Sequence, residues 1–69
     1  MRLSARNVLK GRIVEVKKGA TTAHVRIELP GGAVITSSIT NEAVEDLPLT
    51  RGDEAYAVIK ASDVMIGRD

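Results

Sequence analysis

Thr22-Ala23-His24-Val25-Arg26-Ile27-Glu28-Leu29, then Pro30-Gly31-Gly32, then Ala33-Val34-Ile35-Thr36-Ser37-Ser38-Ile39-Thr40, spells out a β-hairpin. Val25, Ile27 and Leu29 fall on one face of an extended chain and His24, Arg26 and Glu28 on the other, the period-two alternation of a half-buried strand. Proline cannot continue a ladder, and glycine supplies the positive φ that tight turns use, so Pro30-Gly31-Gly32 reverses the chain. On the return, Ile35 and Ile39 lie on one side with Ser37 between them, and Val34, Thr36, Ser38 and Thr40 lie on the other.

Working outward, Val8 to Lys17 reads as a preceding strand, with Val14 and Val16 on one side and Ile13 and Glu15 on the other. Gly11 inside it predicts a bulge or tight bend. Lys17-Lys18-Gly19-Ala20 turns into the hairpin. Beyond the hairpin, Asn41 to Leu47 is the one helical candidate: Thr40 or Asn41 can cap it, Glu42 sits in its first turn, Val44 and Leu47 are spaced to face the core, and Pro48 closes it. Thr50-Arg51-Gly52-Asp53 is a turn. Glu54 to Lys60 alternates again, Ala55, Ala57 and Ile59 against Glu54, Tyr56, Val58 and Lys60. A short fifth strand, Val64 to Ile66, follows a break at Ala61-Ser62-Asp63. The order β-β-β-α-β-β predicts an all-β fold: a five-stranded OB-like barrel with one short helix between strands 3 and 4, forming a single domain over residues 1–69.

A 69-residue chain buries only about 60% of the surface its unfolded form exposes. Disulfides, a structural metal or self-association usually compensate. The chain has no cysteine, which excludes disulfides and thiolate metal sites, and His24 is its one histidine. It has no Phe or Trp, and Tyr56 is its single aromatic residue, so the core lacks the side chains that bury most area. A homo-oligomer is therefore expected, with no direct protein–metal ligands. The net charge of +1 argues against a general nucleic-acid or membrane partner. No apolar run reaches membrane-spanning length and no secretory signal is visible, so a cytoplasmic location is expected. There is no nucleophile–base set, nucleophile elbow or P-loop, and the chain is not expected to be an enzyme or to hold an organic cofactor.

Three polar clusters remain. Ser4-Ala5-Arg6-Asn7, Thr36-Ser37-Ser38-Ile39-Thr40-Asn41 and Lys60-Ala61-Ser62-Asp63 each place hydroxyl or amide groups at the joint of an apolar strand, and two of them add a cation. Brought together, they would form a pocket of N–H and O–H donors suited to a small oxyanion. Taken singly they are weaker. Ser4, Arg6 and Asn7 read by spacing alone as a solvated terminus, the hydroxyl run reads equally as a polar edge strand, and a lysine at a strand end is commonly a solubilising charge.

With these residues in order, the chain resembles the molbindins, stand-alone members of the Mop-type or TOBE domain family. The matching stretches are Ser4-Ala5-Arg6-Asn7 with Leu9-Lys10-Gly11; Ile35-Thr36-Ser37-Ser38-Ile39-Thr40-Asn41; Val44-Glu45-Asp46-Leu47; Arg51-Gly52-Asp53-Glu54; and Ile59-Lys60-Ala61-Ser62-Asp63-Val64-Met65-Ile66-Gly67. The resemblance implies a hexamer built as a trimer of dimers. It also implies binding of molybdate, and of tungstate, at subunit interfaces, and a part in intracellular molybdenum storage and homeostasis. It places Ser4, Arg6, Thr40, Lys60, Ala61 and Ser62 at the oxyanion, with Asn7, Ser37 and Ser38 as further candidates. The rival reading is an OB-like nucleic-acid-binding module, which stacks bases on aromatic side chains and follows phosphates with a basic groove. This chain has neither feature.

Overall fold

The computed structural model describes residues 1–69. Four strands, β1 (Asn7–Lys18), β2 (Thr22–Glu28), β3 (Val34–Thr40) and β4 (Glu54–Ile59), form one antiparallel sheet in the order β3-β2-β1-β4. A short helix, α1 (Asn41–Asp46), follows β3, and a 3₁₀ turn at Ala61–Asp63 follows β4. The fold is all-β and OB-like: a curled half-barrel with the helix at one end.

The hairpin forms as its alternation requires. β2 pairs with β3 from Thr22↔Thr40 to Glu28↔Val34, a register symmetric about Gly31. Gly31 and Gly32 both take φ of 98°, a conformation that costs glycine little. β1 supplies the curl, because its residues 7–12 pair with β4 and its residues 12–18 with β2. The β1–β2 register shifts between Ile13 and Glu15, so the bulge lies at Val14 and not at Gly11. This corrects the expected facing of β1. The extra residue resets the phase, turning Ile13 and Val16 to the core side opposite Ile27 and Val25, and Glu15 to the outside opposite Arg26. Gly11 has a different role. A β-carbon there would lie 2.5 Å from the Glu28 carbonyl oxygen, so only glycine lets β1 cross the end of β2 this closely.

The core is small: Ile13, Ala23, Val25, Ile27, Val44 and Ala57 are its buried members, with Val16, Leu29, Ile35, Ile39, Leu49 and Ala55 packed against them. Thr40 is the helix cap, its side-chain oxygen accepting the Ala43 N–H at 3.0 Å. Asn41 ties the helix start to the β1–β2 loop: its N–H donates to the Thr21 carbonyl and its Nδ2 to the Gly19 carbonyl. Val44 faces the core as its spacing predicts. Leu47 does not; it lies one residue past α1 and is 65% exposed.

The expected fifth strand is absent from the sheet. After Ile59 the 3₁₀ turn leads the chain away, and Val64, Met65 and Ile66 pair with nothing, the last two being 92% exposed. β3 and β4 therefore keep one open edge each. The chain makes 31 backbone–backbone hydrogen bonds, against about 46 for a closed domain of this length. Its radius of gyration is 12.6 Å, against about 11 Å for compact packing. No helix is long and apolar enough to cross a membrane.

Candidate functional site

The Asn7↔Ile59 pair closes one end of the β1–β4 ladder, and Asn7 reinforces it by donating its Nδ2 to the Ile59 carbonyl at 3.2 Å. Ser4 and Arg6 lie just before this pair and Lys60, Ala61 and Ser62 just after it, so the ladder brings the first and third polar clusters to one end of the sheet. Lys60 is extended and leads into the 3₁₀ turn, where its carbonyl accepts the Asp63 N–H. The Ala61 and Ser62 N–H groups, at the start of that turn, donate to no group within the chain. Neither Arg6 nor Lys60 is ion-paired; the two salt bridges are Lys10–Glu54 and Lys18–Glu45. This end therefore carries two uncompensated cations, a free hydroxyl on each side and two open backbone donors.

The second cluster is elsewhere. Thr40 pairs with Thr22, beside the far end of β1 where Lys18 meets Ala23. Asn7 and Lys18 are the first and last residues of β1, which is 12 residues long and bulged at Val14. No single small anion touches both ends of one chain. Alternation also separates the two serines. Ser37 lies opposite Val25 on the core side, while Ser38 lies opposite His24 on the outer face with Thr36 and Thr40. One chain thus joins Ser4, Arg6, Asn7, Lys60, Ala61 and Ser62, and holds Thr40 and Ser38 apart from them.

Thr40 retains its donor. Its oxygen accepts from Ala43, and a hydroxyl used as an acceptor keeps its O–H to give away. Thr22 lies opposite Thr40 on the same face. No group of three His, Cys, Asp or Glu side chains comes together to hold a metal ion.

Comparison with known proteins gives this geometry a context. The TOBE domain model matches residues 3–66. Molybdenum-pterin-binding protein 3 of Clostridium pasteurianum is 53% identical over 66 residues, covering 96% of this chain and 97% of that protein. The structure of MopII from Clostridium pasteurianum, in a form labelled apo2, superposes with a TM-score of 0.91 at 49% identity, covering 97% of this chain and all of that one. ModG, described as a cytoplasmic molybdate-binding protein and solved with molybdate bound, superposes with a TM-score of 0.91 at 51% identity, covering 94% of this chain and 46% of ModG. With a family match across nearly its whole length and relatives of its own size at about half identity, this chain belongs to the TOBE domain family.

Proposed function

We propose that this protein binds molybdate, and tungstate as a close analogue, at contacts between copies of itself in a homo-oligomer. The assembly is a hexamer arranged as a trimer of dimers, and its role is molybdenum storage and homeostasis in the cytoplasm. The observation that carries this reading is the division of the donors. Arg6, Lys60, Ser4, Ser62 and the Ala61 N–H stand at one end of the chain and Thr40 at the other, in a protein whose relatives are named for molybdenum or molybdate binding. A second copy is needed to face one end with the other.

The chemistry suits a tetrahedral dianion. Molybdate offers acceptor oxygens and no proton at neutral pH, so it is matched by a shell of donors without a carboxylate. Arg6 and Lys60 supply charge, Arg6 through a planar fork and Lys60 as a point charge. The hydroxyls and backbone N–H groups add fixed dipoles that do not titrate. Phosphate usually carries a proton that requires an acceptor, and in such a shell only the hydroxyl oxygens could take it. Sulfate has no such proton, and its smaller size is discriminated by the rigidity of an assembled interface. The role is binding rather than catalysis.

The nucleic-acid reading is not favoured. Tyr56 is the lone aromatic, on the outer face between Lys10 and Glu54, which neutralise each other. It forms no stacking platform and lies in no basic groove.

Isothermal titration of molybdate tests the proposal. Each charge-assisted hydrogen bond contributes about 1.5–3 kcal/mol, so Arg6→Ala and Lys60→Ala should each weaken binding by roughly 10- to 150-fold while the assembly mass in native mass spectrometry stays unchanged. Titrations of both variants that match the wild type would remove these residues from the site.

A further inference from the structure

Asn41 ends the hydroxyl run that stands out in the sequence, yet the proposed site makes no use of it. It sits at the joint between β3 and α1, directly after Thr40. β3 is an edge strand, so β2 alone holds this joint from the sheet side. Asn41 adds a grip on the β1–β2 turn. Its N–H donates to the Thr21 carbonyl at 2.9 Å and its Nδ2 to the Gly19 carbonyl at 3.0 Å. The Gly19 N–H in turn donates to the Thr22 carbonyl at 2.7 Å, and Thr22 is the register partner of Thr40. The bonds thus run in a loop from the joint to the turn, on to β2 and back to Thr40. The one other side-chain tie from α1 to β1 or its turn is the exposed Lys18–Glu45 ion pair. Asn41 also brings a cost. Its Oδ1 is buried with no hydrogen-bond partner, which is unfavourable for folding, so stability alone does not account for an asparagine here.

We propose that Asn41 is a positioning residue for Thr40, and that it sets how sharply the site separates molybdate from the smaller sulfate. Threonine is β-branched and stiff about its first side-chain torsion. Its oxygen is further pinned by the Ala43 N–H at 3.0 Å. The direction of the Thr40 O–H therefore follows the backbone of the β3–α1 joint, and a shift of the joint is passed to the donor undiminished. Hydrogen bonds weaken steeply once they lengthen or bend. A donor held in place serves one anion radius, whereas a donor on a loose joint can follow a smaller anion inward. The amide of Asn41 acts on selectivity through this joint and touches no ligand itself. The inference rests on the proposed function, since Thr40 must face the anion for the clamp to matter.

Molybdate titration, alone and against competing sulfate, tests it on the full chain. Asn41→Leu keeps the size of the side chain and removes the amide. It should weaken molybdate binding by about three- to tenfold, the range of one neutral hydrogen bond, and leave sulfate affinity unchanged. The molybdate-to-sulfate affinity ratio should therefore fall at least threefold. The thermal midpoint should hardly move, because the lost bond to Gly19 is offset by removal of the unpartnered Oδ1. Asn41→Ser, too short to reach Gly19, is the second variant and should lower the ratio in the same way. A merely structural role gives a different pattern: a lowered assembly mass, or molybdate and sulfate affinities that fall in proportion. Either result overturns the proposal. So do variants with the affinity and the ratio of the wild type, and in that case the proposed function stands without the clamp. Wild-type protein that takes up no molybdate rejects the proposed function itself, and the clamp with it.

Discussion

Replacing Gly11 by alanine sets two effects of known sign against each other. In a strand interior alanine is favoured over glycine by about 0.5–1 kcal/mol, because glycine loses more backbone freedom on folding. Packing opposes this. The new methyl would stand 2.5 Å from the Glu28 carbonyl oxygen, 2.5 Å from Ile27 Cγ2 and 3.1 Å from Leu29 Cδ2. The first two distances are roughly 0.9 Å inside the 3.4 Å where ordinary contact begins. The Glu28 oxygen is backbone and Ile27 is a buried core residue, so neither retreats without moving β2 or the hairpin. Overpacking of this kind costs about 1–3 kcal/mol. The net expectation is a loss of about 1.5 kcal/mol, or a fall in melting temperature of about 6–12 °C for a domain of this size. Gly19→Ala provides a graded comparison, since its methyl meets one backbone oxygen at 3.0 Å and should produce a smaller fall. The assay is thermal unfolding by circular dichroism at one fixed protein concentration, because the proposed association would make the midpoint concentration-dependent. An unchanged or raised midpoint for Gly11→Ala would refute the claim that β1 is pressed against the end of β2.

Three further outcomes are expected. Arg6→Ala and Lys60→Ala lose molybdate affinity in calorimetry without changing assembly mass, as set out above. Thr40→Val removes both the helix cap, at about 1 kcal/mol, and the O–H that the proposed function directs at the anion; it should lower the melting temperature and weaken molybdate titration together, whereas Thr40→Ser should preserve both. Glu54→Gln breaks the ion pair with Lys10, but both side chains are more than half exposed, so the urea midpoint should move by no more than the equivalent of about 0.5 kcal/mol.

Much of this architecture was legible because it is local. The β2–β3 hairpin follows from period-two alternation and Pro30-Gly31-Gly32, and α1 follows from Thr40 as cap with Val44 as its buried residue. The facing of Ile13 and Val14 was not legible. A bulge at a β-branched residue has no compositional signature, and it reverses the phase of everything before it. Val64–Ile66 reads as a strand because its residues suit one. Being a strand, though, depends on a partner edge, and one chain does not present that edge to its own tail. Leu47 follows the helical spacing but falls where α1 has already ended. The inventory of candidate donors was visible, and so was the placement of Arg6 and Lys60 beside the Asn7–Ile59 pair once β1 and β4 are paired. The separation of Thr40 from them depends on register across three strands, and Ser37 and Ser38 diverge because adjacent residues in a strand face opposite sides.

β1 has two partners and changes from one to the other at Arg12, which alone is paired with both Glu28 and Glu54. The two halves of the sheet therefore keep separate counts. An extra residue inserted among residues 8–10 would reverse inside and outside for the stretch before it while leaving the β2–β3 hairpin in phase. A length change within Pro30-Gly31-Gly32 would be absorbed at an exposed tip and alter neither count. Tolerance to insertion in this protein is thus a property of position along β1, with Arg12 as the seam.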